Sequence, residues 1–447
     1  MDLIANIPLI GGFLATVLPF VVVLGIVVFV HEYGHYIVAR WLGIRSEVFS
    51  IGFGPVLWSK PDRRGTVWQV AAVPLGGYVK FLGDSDGSSR ADDTALEGMS
   101  AGDRAESFHG AAVWKRMLTV LAGPVFNFLL TIAVFAGVVM WQGVPTERPT
   151  IGTVGALPGI EQQLLPGDVV LEVNGTSVED FSDIYTTALD MTPSGPMRMV
   201  VERDTERLEF EVPYAFPPVV EGVQPLSPAS AAGLERGDVI LRADGVALSS
   251  FEDLRQVILA SGDRAIPLDI WRSGEEITLD ITPTERDTED GEGGFEKRVM
   301  IGVAGASLYM SATETPAPWT ALGFGVERMI SVITQSLNGM KHMIFGNLGA
   351  DNLQGPLGIA QISGETAQQG FLSFIVLIGV ISTAIGMLNL FPIPVLDGGH
   401  FVAFVIEAIR GRPPSPAVMN IAMSIGLGLI LLLMVFATYN DIVRLIG

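Results

Sequence analysis

The chain has no cysteine, which excludes disulfides, a thiol nucleophile and any thiolate metal site. Histidine is also scarce, at five in 447 residues, so a metal held here must rely on few imidazoles and on carboxylates. Charged residues make up 17% of the chain against 49% hydrophobic, where a soluble globular protein carries roughly 25% charged. Basic residues are the scarcer sign, 27 Lys and Arg against 48 Asp and Glu for a net charge of −21. Phosphate binding needs clustered Lys and Arg, so nucleic acid is excluded as the main partner. So few charges would not cover a soluble protein of this length, and the composition indicates a membrane protein carrying a soluble portion.

Four apolar stretches are long enough to span a bilayer, which takes about 20 residues. The first is uncharged from Leu3 to Val30, the second from Met117 to Gly143, and two more run over about 370–396 and 417–439. The first run has no Lys or Arg before Arg40 and no small-residue cleavage site after it, so it reads as a retained helix and not a signal peptide. The segment Arg40–Arg116 holds ten Lys and Arg, the connection between spans three and four holds Arg410 and Arg412, and the tail holds Arg444. This bias places 40–116 in the cytoplasm, with both termini and 143–369 on the opposite side.

The long extramembrane segment contains a repeat. Pro166-Gly-Asp-Val-Val-Leu-Glu-Val-Asn-Gly175 matches Arg236-Gly-Asp-Val-Ile-Leu-Arg-Ala-Asp-Gly245 at an offset of 70, and each is followed by a Phe and an Asp at equal distances. Each copy reads as a turn, an apolar strand, a glycine turn and a helix, so the expectation is two duplicated α/β domains, at 143–214 and 215–284. The acidic, Gly-containing stretch Thr284–Glu296 reads as a loop, and Asp84–Glu106 as another. Residues 285–369 read as a linker with an amphipathic helix, its apolar positions Leu322, Val326, Met329, Ile333 and Leu337 at helical spacing. Such a helix would lie on the membrane or pack on the repeated domains.

The chemistry begins at the end of the first span, at His31-Glu32-Tyr33-Gly34-His35. In H-E-x-x-H on a helix, residues i and i+4 share a face, so both imidazoles can hold one zinc, and the glutamate can shuttle a proton between water and a leaving amine. Ionisable groups at membrane depth are costly and mark function. A catalytic zinc needs a third protein ligand, and none follows closely in Tyr36–Gly43. The best candidate is far along the chain, in Asn389-Leu-Phe-Pro-Ile-Pro-Val-Leu-Asp397-Gly-Gly-His400. Pro392 and Pro394 break the third span there, and Asp397 follows at membrane depth, with His400 as a competing ligand. Val67–Val73 and Tyr78–Leu82 read as a β-hairpin turned at Pro74-Leu-Gly76-Gly77.

The two motifs together resemble the site-2 protease family of intramembrane zinc metalloproteases. Four spans with a repeated domain between the second and third resemble its RseP branch, the regulators of sigma-E protease of Gram-negative bacteria. Further family-like stretches are Phe49–Gly54, Pro74–Lys80, Ala122-Gly-Pro-Val-Phe-Asn127 and Gly355–Ile359. The second repeat, with Ser227-Pro-Ala-Ser-Ala-Ala-Gly-Leu ahead of it, resembles a PDZ domain of the bacterial protease type, and the first copy is a looser match. The resemblance implies a polytopic α-helical protein of four transmembrane helices, a PDZ tandem between spans two and three, and a membrane-associated β-hairpin after span one. It implies Zn2+ on His31, His35 and Asp397, Glu32 as general base and acid, and substrate contacts at Asn389, Gly76 and Gly77. The expected function is endopeptidase cleavage of single-span substrates, anti-sigma-factor-like proteins or remnant signal peptides, in the bacterial inner membrane with the site toward the cytoplasm. A PDZ scaffold without proteolysis would have no need of H-E-x-x-H. A metal transporter would need a second polar relay through spans two and four. His109 and His342 read as ordinary interfacial residues.

Overall fold

The computed structural model describes residues 11–85, 98–191, 195–289 and 294–446. Two compact units emerge: one of Met1–Val138, Trp319–Lys341 and Ala350–Gly447, the other of Val139–Pro318 and His342–Gly349. The protein is a membrane protein, and its four long apolar helices belong to the first unit.

That unit contains α1 (Gly11–Trp41), all but the last turn of α2 (Val113–Gln142), all but the ends of α3 (Pro318–Ile344), α4 (Pro356–Gln368), α5 (Phe371–Asn389), α6 (Asp397–Arg410) and α7 (Pro416–Ile446). Without a hydrophobic drive between helices in lipid, close packing and buried polar bonds must hold them together. In α2 and α5 the Thr131 hydroxyl donates to the Gly379 carbonyl (3.1 Å), the Ser382 hydroxyl donates to the Asn127 carbonyl (2.9 Å), and Thr383 donates to Thr131 (3.0 Å). Val23 and Val27 of α1 bury against Ile378 of α5. One acid of the fourth span, Asp441, is buried and accepts the Gly355 and Gly358 amides at 3.1 and 2.9 Å, satisfying free donors at the start of α4. A bidentate, largely buried pair from Arg116 of α2 to Glu407 of α6, at 3.0 and 2.7 Å, fixes α6 to the second span. The apolar positions Leu322, Val326, Ile330 and Leu337 of α3 are exposed. Its Gly325 lies so close to the second span that a Cβ there would sit 2.6 Å from the Ile132 carbonyl oxygen. Helix α3 therefore packs against a membrane helix by its small residues.

The β segment after α1 differs from the expected hairpin. Ser46–Pro61 and Val67–Phe81 are both long and both fold back, giving four short segments. Gly77–Phe81 pairs antiparallel with Ser46–Ile51, from Ser46↔Phe81 to Ile51↔Gly77. On the other side of Ser46–Ile51, the partners Val48↔Val67 to Ile51↔Val70 advance in the same direction along both segments. A true hairpin joins 56–61 to 67–71, from Val56↔Ala71 to Pro61↔Val67. Thus 67–73 and 78–82 do not pair with each other; both flank the earlier strand. Phe49, Val79 and Phe81 bury against Tyr36 and Ala39 of α1 and Val120 of α2, which clamps the sheet to the helices. Residues 86–97 of the expected loop Asp84–Glu106 lie outside the described residues. On either side of them, Ala101–Glu106 is a helix capped by Ser100, and the buried Asp84 meets His109 Nε2 at 3.0 Å and accepts the Phe81 amide. Burial pushes the Asp84 carboxyl above its ordinary range, against the lowering pull of His109.

In the second unit the repeat is visible as two matching four-stranded sheets. The first has the order Thr176–Ser177, Val169–Val173, Met197–Arg203, Glu206–Val212, and the second Val246–Ala247, Val239–Ala243, Ile266–Arg272, Glu275–Ile281. Each is crossed by a helix with a capping box, Phe181–Leu189 after Asp180 and Phe251–Ser261 after Ser250. Each copy also carries the same fork, a partly exposed arginine on a buried aspartate. Arg203 grips Asp168 at 2.6 and 2.7 Å, and Arg272 grips Asp238 at 2.7 and 2.6 Å. Removing the arginine leaves the buried aspartate without its partner, at a cost below the about 3–5 kcal/mol of a fully buried pair because the guanidinium is partly exposed. Arg272→Met is therefore expected to lower the unfolding temperature of the second repeat measurably, read by limited proteolysis of the full chain on heating; an unchanged profile would count against the fork.

Two boundaries move. Thr284–Glu296 is not a loop: Thr284–Glu289 pairs antiparallel with Phe295–Met300, with 290–293 outside the described residues. Nor do the domains close at 214 and 284. Val303–Gly305 pairs with Val220–Val223 of the second copy, and Tyr309–Ser311 pairs with Ile151–Val154 of the first. Ile301 enters the second core, while Leu308 and Tyr309 enter the first. Residues read as linker thus complete both domains.

Candidate metal and catalytic site

The site lies in the first unit, where α1, α2 and the start of α6 meet. His31 and His35 are one helical turn apart on α1 and both are buried. Helix α5 ends at Asn389, the chain turns tightly through the two prolines, and Asp397 opens α6. Glycine is required in this turn. A Cβ at Gly398 would lie 2.3 Å from the Leu390 carbonyl oxygen, and one at Gly399 2.3 Å from that of Ile393.

Three ligating atoms converge. His31 Nε2 lies 3.1 Å from Asp397 Oδ2, His35 Nε2 lies 3.4 Å from the same oxygen, and the two Nε2 atoms are 3.2 Å apart. Among the described residues these three form the group able to share a metal ion, and His400 lines the same cavity without joining it. A tetrahedral zinc with ligand arms of about 2.0–2.2 Å has ligand-to-ligand edges of roughly 3.3–3.6 Å, close to this triangle. The hydrogen bonding agrees. His35 Nδ1 is 2.8 Å from the Thr119 carbonyl and must donate to it, which leaves the Nε2 lone pair facing inward. Asp397 Oδ2 is buried and faces both Nε2 atoms, so with the ring lone pairs turned inward all three atoms are donors to one shared cation. The donor set fits zinc.

Second-span glycine makes the arrangement possible. A Cβ at Gly123 would lie 2.3 Å from His35 Nε2 and 2.8 Å from His31 Cε1, and one at Gly34 would lie 2.5 Å from the Ala122 carbonyl oxygen. Helices α1 and α2 therefore touch backbone to backbone beside the imidazoles. Asn127, one turn beyond Gly123, is fully buried with its amide 3.2 Å from His31 Nδ1. Neither Gly123 nor Asn127 had a role from sequence, although their i, i+4 spacing on an apolar span was there to be read.

A cavity of about 230 Å³ opens from the triangle, lined by Glu32, Gly77, Tyr78, Asn389, His400 and Met423 among others. Gly77 is pressed onto α1: a Cβ there would lie 3.1 Å from Glu32 Cγ and 2.7 Å from the Ser50 carbonyl oxygen. Gly76 does not line the cavity. It has φ +147°, and its missing side chain makes room for the Phe53 ring. His109 is bound to Asp84, and His342 rests with its ring 5.2 Å from that of Phe295.

A polytopic membrane chain with two imidazoles, a carboxylate and a neighbouring glutamate at one cavity is of the metalloprotease class. Comparison with known proteins gives the same answer. The model of peptidase family M50 matches residues 19–433. A protein of Agrobacterium fabrum named "Putative zinc metalloprotease" is 38% identical over 438 residues, covering 98% of each chain. The regulator of sigma-E protease RseP of Escherichia coli K12 is 32% identical over 464 residues, covering 97% of this chain and all of that one. The regulator of sigma E protease of Salmonella typhi is 32% identical over 452 residues, covering 95% of this chain and 98% of that one. The chain belongs to peptidase family M50, the site-2 proteases, and is a zinc metalloendopeptidase.

Proposed function

We propose that this protein cleaves a peptide bond in or beside the transmembrane helix of a single-span substrate, with His31, His35 and Asp397 holding the zinc. The observation that carries this reading is the triangle of Nε2, Nε2 and Oδ2 atoms within 3.4 Å of one another, in one cavity with Glu32. When bound, zinc supplies Lewis acidity and lowers the pKa of water toward neutrality. Glu32 takes a proton from the attacking water at its carboxylate and returns it to the leaving amine nitrogen. Among the described residues Gly77–Phe81 pairs with Ser46–Ile51 alone, so its other edge is available to an extended substrate segment. The substrate helix must unwind first, because its amides are otherwise committed to intrahelical bonds. Asn389, at the last turn of α5 and on the cavity wall, supplies an amide that hydrogen-bonds the substrate backbone in this reading. Gly77 sets the close approach of the edge strand to Glu32.

The two repeats are read as PDZ domains that admit or recognise a substrate already trimmed outside the membrane. Anti-sigma-factor-like proteins and remnant signal peptides are the substrate classes that the regulators of sigma-E protease suggest. The basic margin at Arg40–Arg116 sets the orientation: inner membrane, site toward the cytoplasm, termini and repeats on the periplasmic side. A scaffold or transporter has no use for a general base beside the triangle.

The test is metal analysis of purified wild type and Asp397→Asn in nanodiscs, with cleavage of a model single-span peptide. Asn is a weaker ligand than a carboxylate, so zinc affinity is expected to fall by at least the roughly 10- to 100-fold that loss of an outer-shell partner costs, with activity falling in parallel. Unchanged zinc content in Asp397→Asn would remove it from the ligand set and point to His400.

A further inference from the structure

Asn127 has no part in the chemistry above, yet it is the polar side chain behind the first zinc ligand. Its backbone carbonyl accepts the Ser382 hydroxyl at 2.9 Å, so its position is pinned independently of its amide. That amide is fully buried, with Nδ2 3.2 Å from His31 Nδ1. Oδ1 is buried with no hydrogen-bond partner, a costly condition inside a membrane bundle.

The two imidazoles are held differently. His35 Nδ1 faces a carbonyl, which accepts only, so its tautomer is fixed with the lone pair on Nε2. His31 Nδ1 faces an amide, which has a donor end and an acceptor end. With Nδ2 toward it, Nδ1 is the acceptor and the ring proton sits on Nε2, the atom aimed at Asp397 Oδ2. That is the wrong tautomer for a ligand. Turning the amide over exchanges Oδ1 and Nδ2; Oδ1 then accepts from Nδ1–H, the orphan oxygen gains a partner, and the Nε2 lone pair is released.

We infer that Asn127 is a positioning residue for His31, and that its amide oxygen selects the metal-binding tautomer of that ring. The inference rests on His31 being a zinc ligand. It makes the two imidazoles unequal: one is committed by a main-chain carbonyl, the other by a side chain that can face either way. The Gly123 and Asn127 pair on the second span then has one joint purpose, since Gly123 leaves room for the rings and Asn127 sets the protonation pattern of one of them.

The experiment is zinc affinity by chelator competition on the purified full chain, together with the visible spectrum of the cobalt-substituted form. Asn127→Leu keeps the volume and removes the acceptor, and zinc affinity is expected to fall by about 10- to 100-fold with an altered cobalt spectrum. Asn127→Asp keeps an acceptor and is expected to bind zinc as wild type does, as in carboxylate–histidine–zinc arrangements. This variant alone decides the matter where the Leu variant fails to fold. Wild-type affinity in Asn127→Leu, or a loss in Asn127→Asp as large as in Asn127→Leu, overturns the role. His31→Ala is the reference: if it retains zinc, the ligand assignment itself has failed, whereas zinc lost there and kept in Asn127→Leu rejects only the role of Asn127.

Discussion

Glu32→Gln is expected to keep its zinc and lose cleavage of a transmembrane peptide by about 10²–10⁴-fold, the range for removing a positioned general acid–base. The substitution is nearly isosteric. It matters that Glu32 stands apart from the ligand triangle while lining the same cavity, so the ligand atoms are untouched. It matters too that Gly77 brings the edge strand against the Glu32 side chain, because a smaller residue would leave space and confound the result. Gln cannot accept the proton of water, so metal content and turnover should separate cleanly. Metal analysis beside single-turnover cleavage reads both, and a metal-loaded Glu32→Gln that turns over at the wild-type rate would end the role given to Glu32.

Gly123→Ala should be nearly as damaging without touching a chemical group. The added methyl would arrive 2.3 Å from His35 Nε2 and 2.6 Å from its Cε1, far inside contact distance. The rings cannot retreat easily, since His35 is tied to the Thr119 carbonyl at 2.8 Å and α1 is already against α2 at Gly34. Overpacking of this kind costs about 1–3 kcal/mol in stability. The larger effect is on the triangle, whose edges must stay near 3.1–3.4 Å, and zinc affinity is expected to fall by about 10- to 100-fold. Gly137→Ala is the control on the same helix, because a Cβ there meets nothing within 4 Å. Equal zinc content in the two variants would show that the cradle does not matter.

The legible parts of this chain were those with a short sequence period. H-E-x-x-H was readable because four residues are one helical turn, and the spans because 20 apolar residues have few other uses. The Gly-Asp-apolar repeat was readable because it recurs in sequence, and its second appearance as the Asp168–Arg203 and Asp238–Arg272 forks shows that the copies share chemistry as well as outline. What was missed depends on partners far away in sequence. Asn127 meets a histidine 96 residues before it, and nothing in its neighbours says so. The β segment was misread because Ser46–Ile51 takes the central place between two strands that looked like each other's partners. The return strands are three residues each, too short to show alternation. Acidic composition hid the 284–300 hairpin, because charges on an exposed two-stranded ribbon look the same as charges on a loop.

Those return strands govern how the chain can be made and cut. The first repeat begins its sheet at Ile151 yet takes Tyr309 into its core, so during synthesis it waits, unfinished, until the whole second repeat has left the ribosome. The second repeat closes only slightly earlier, at Val303. The two mature almost together, as an outer loop closed around an inner one. Neither can be expressed alone from a contiguous stretch ending at 214 or 284 without losing a strand. The stretch 301–311 thus serves both domains, its first half closing the second repeat and its last residues closing the first.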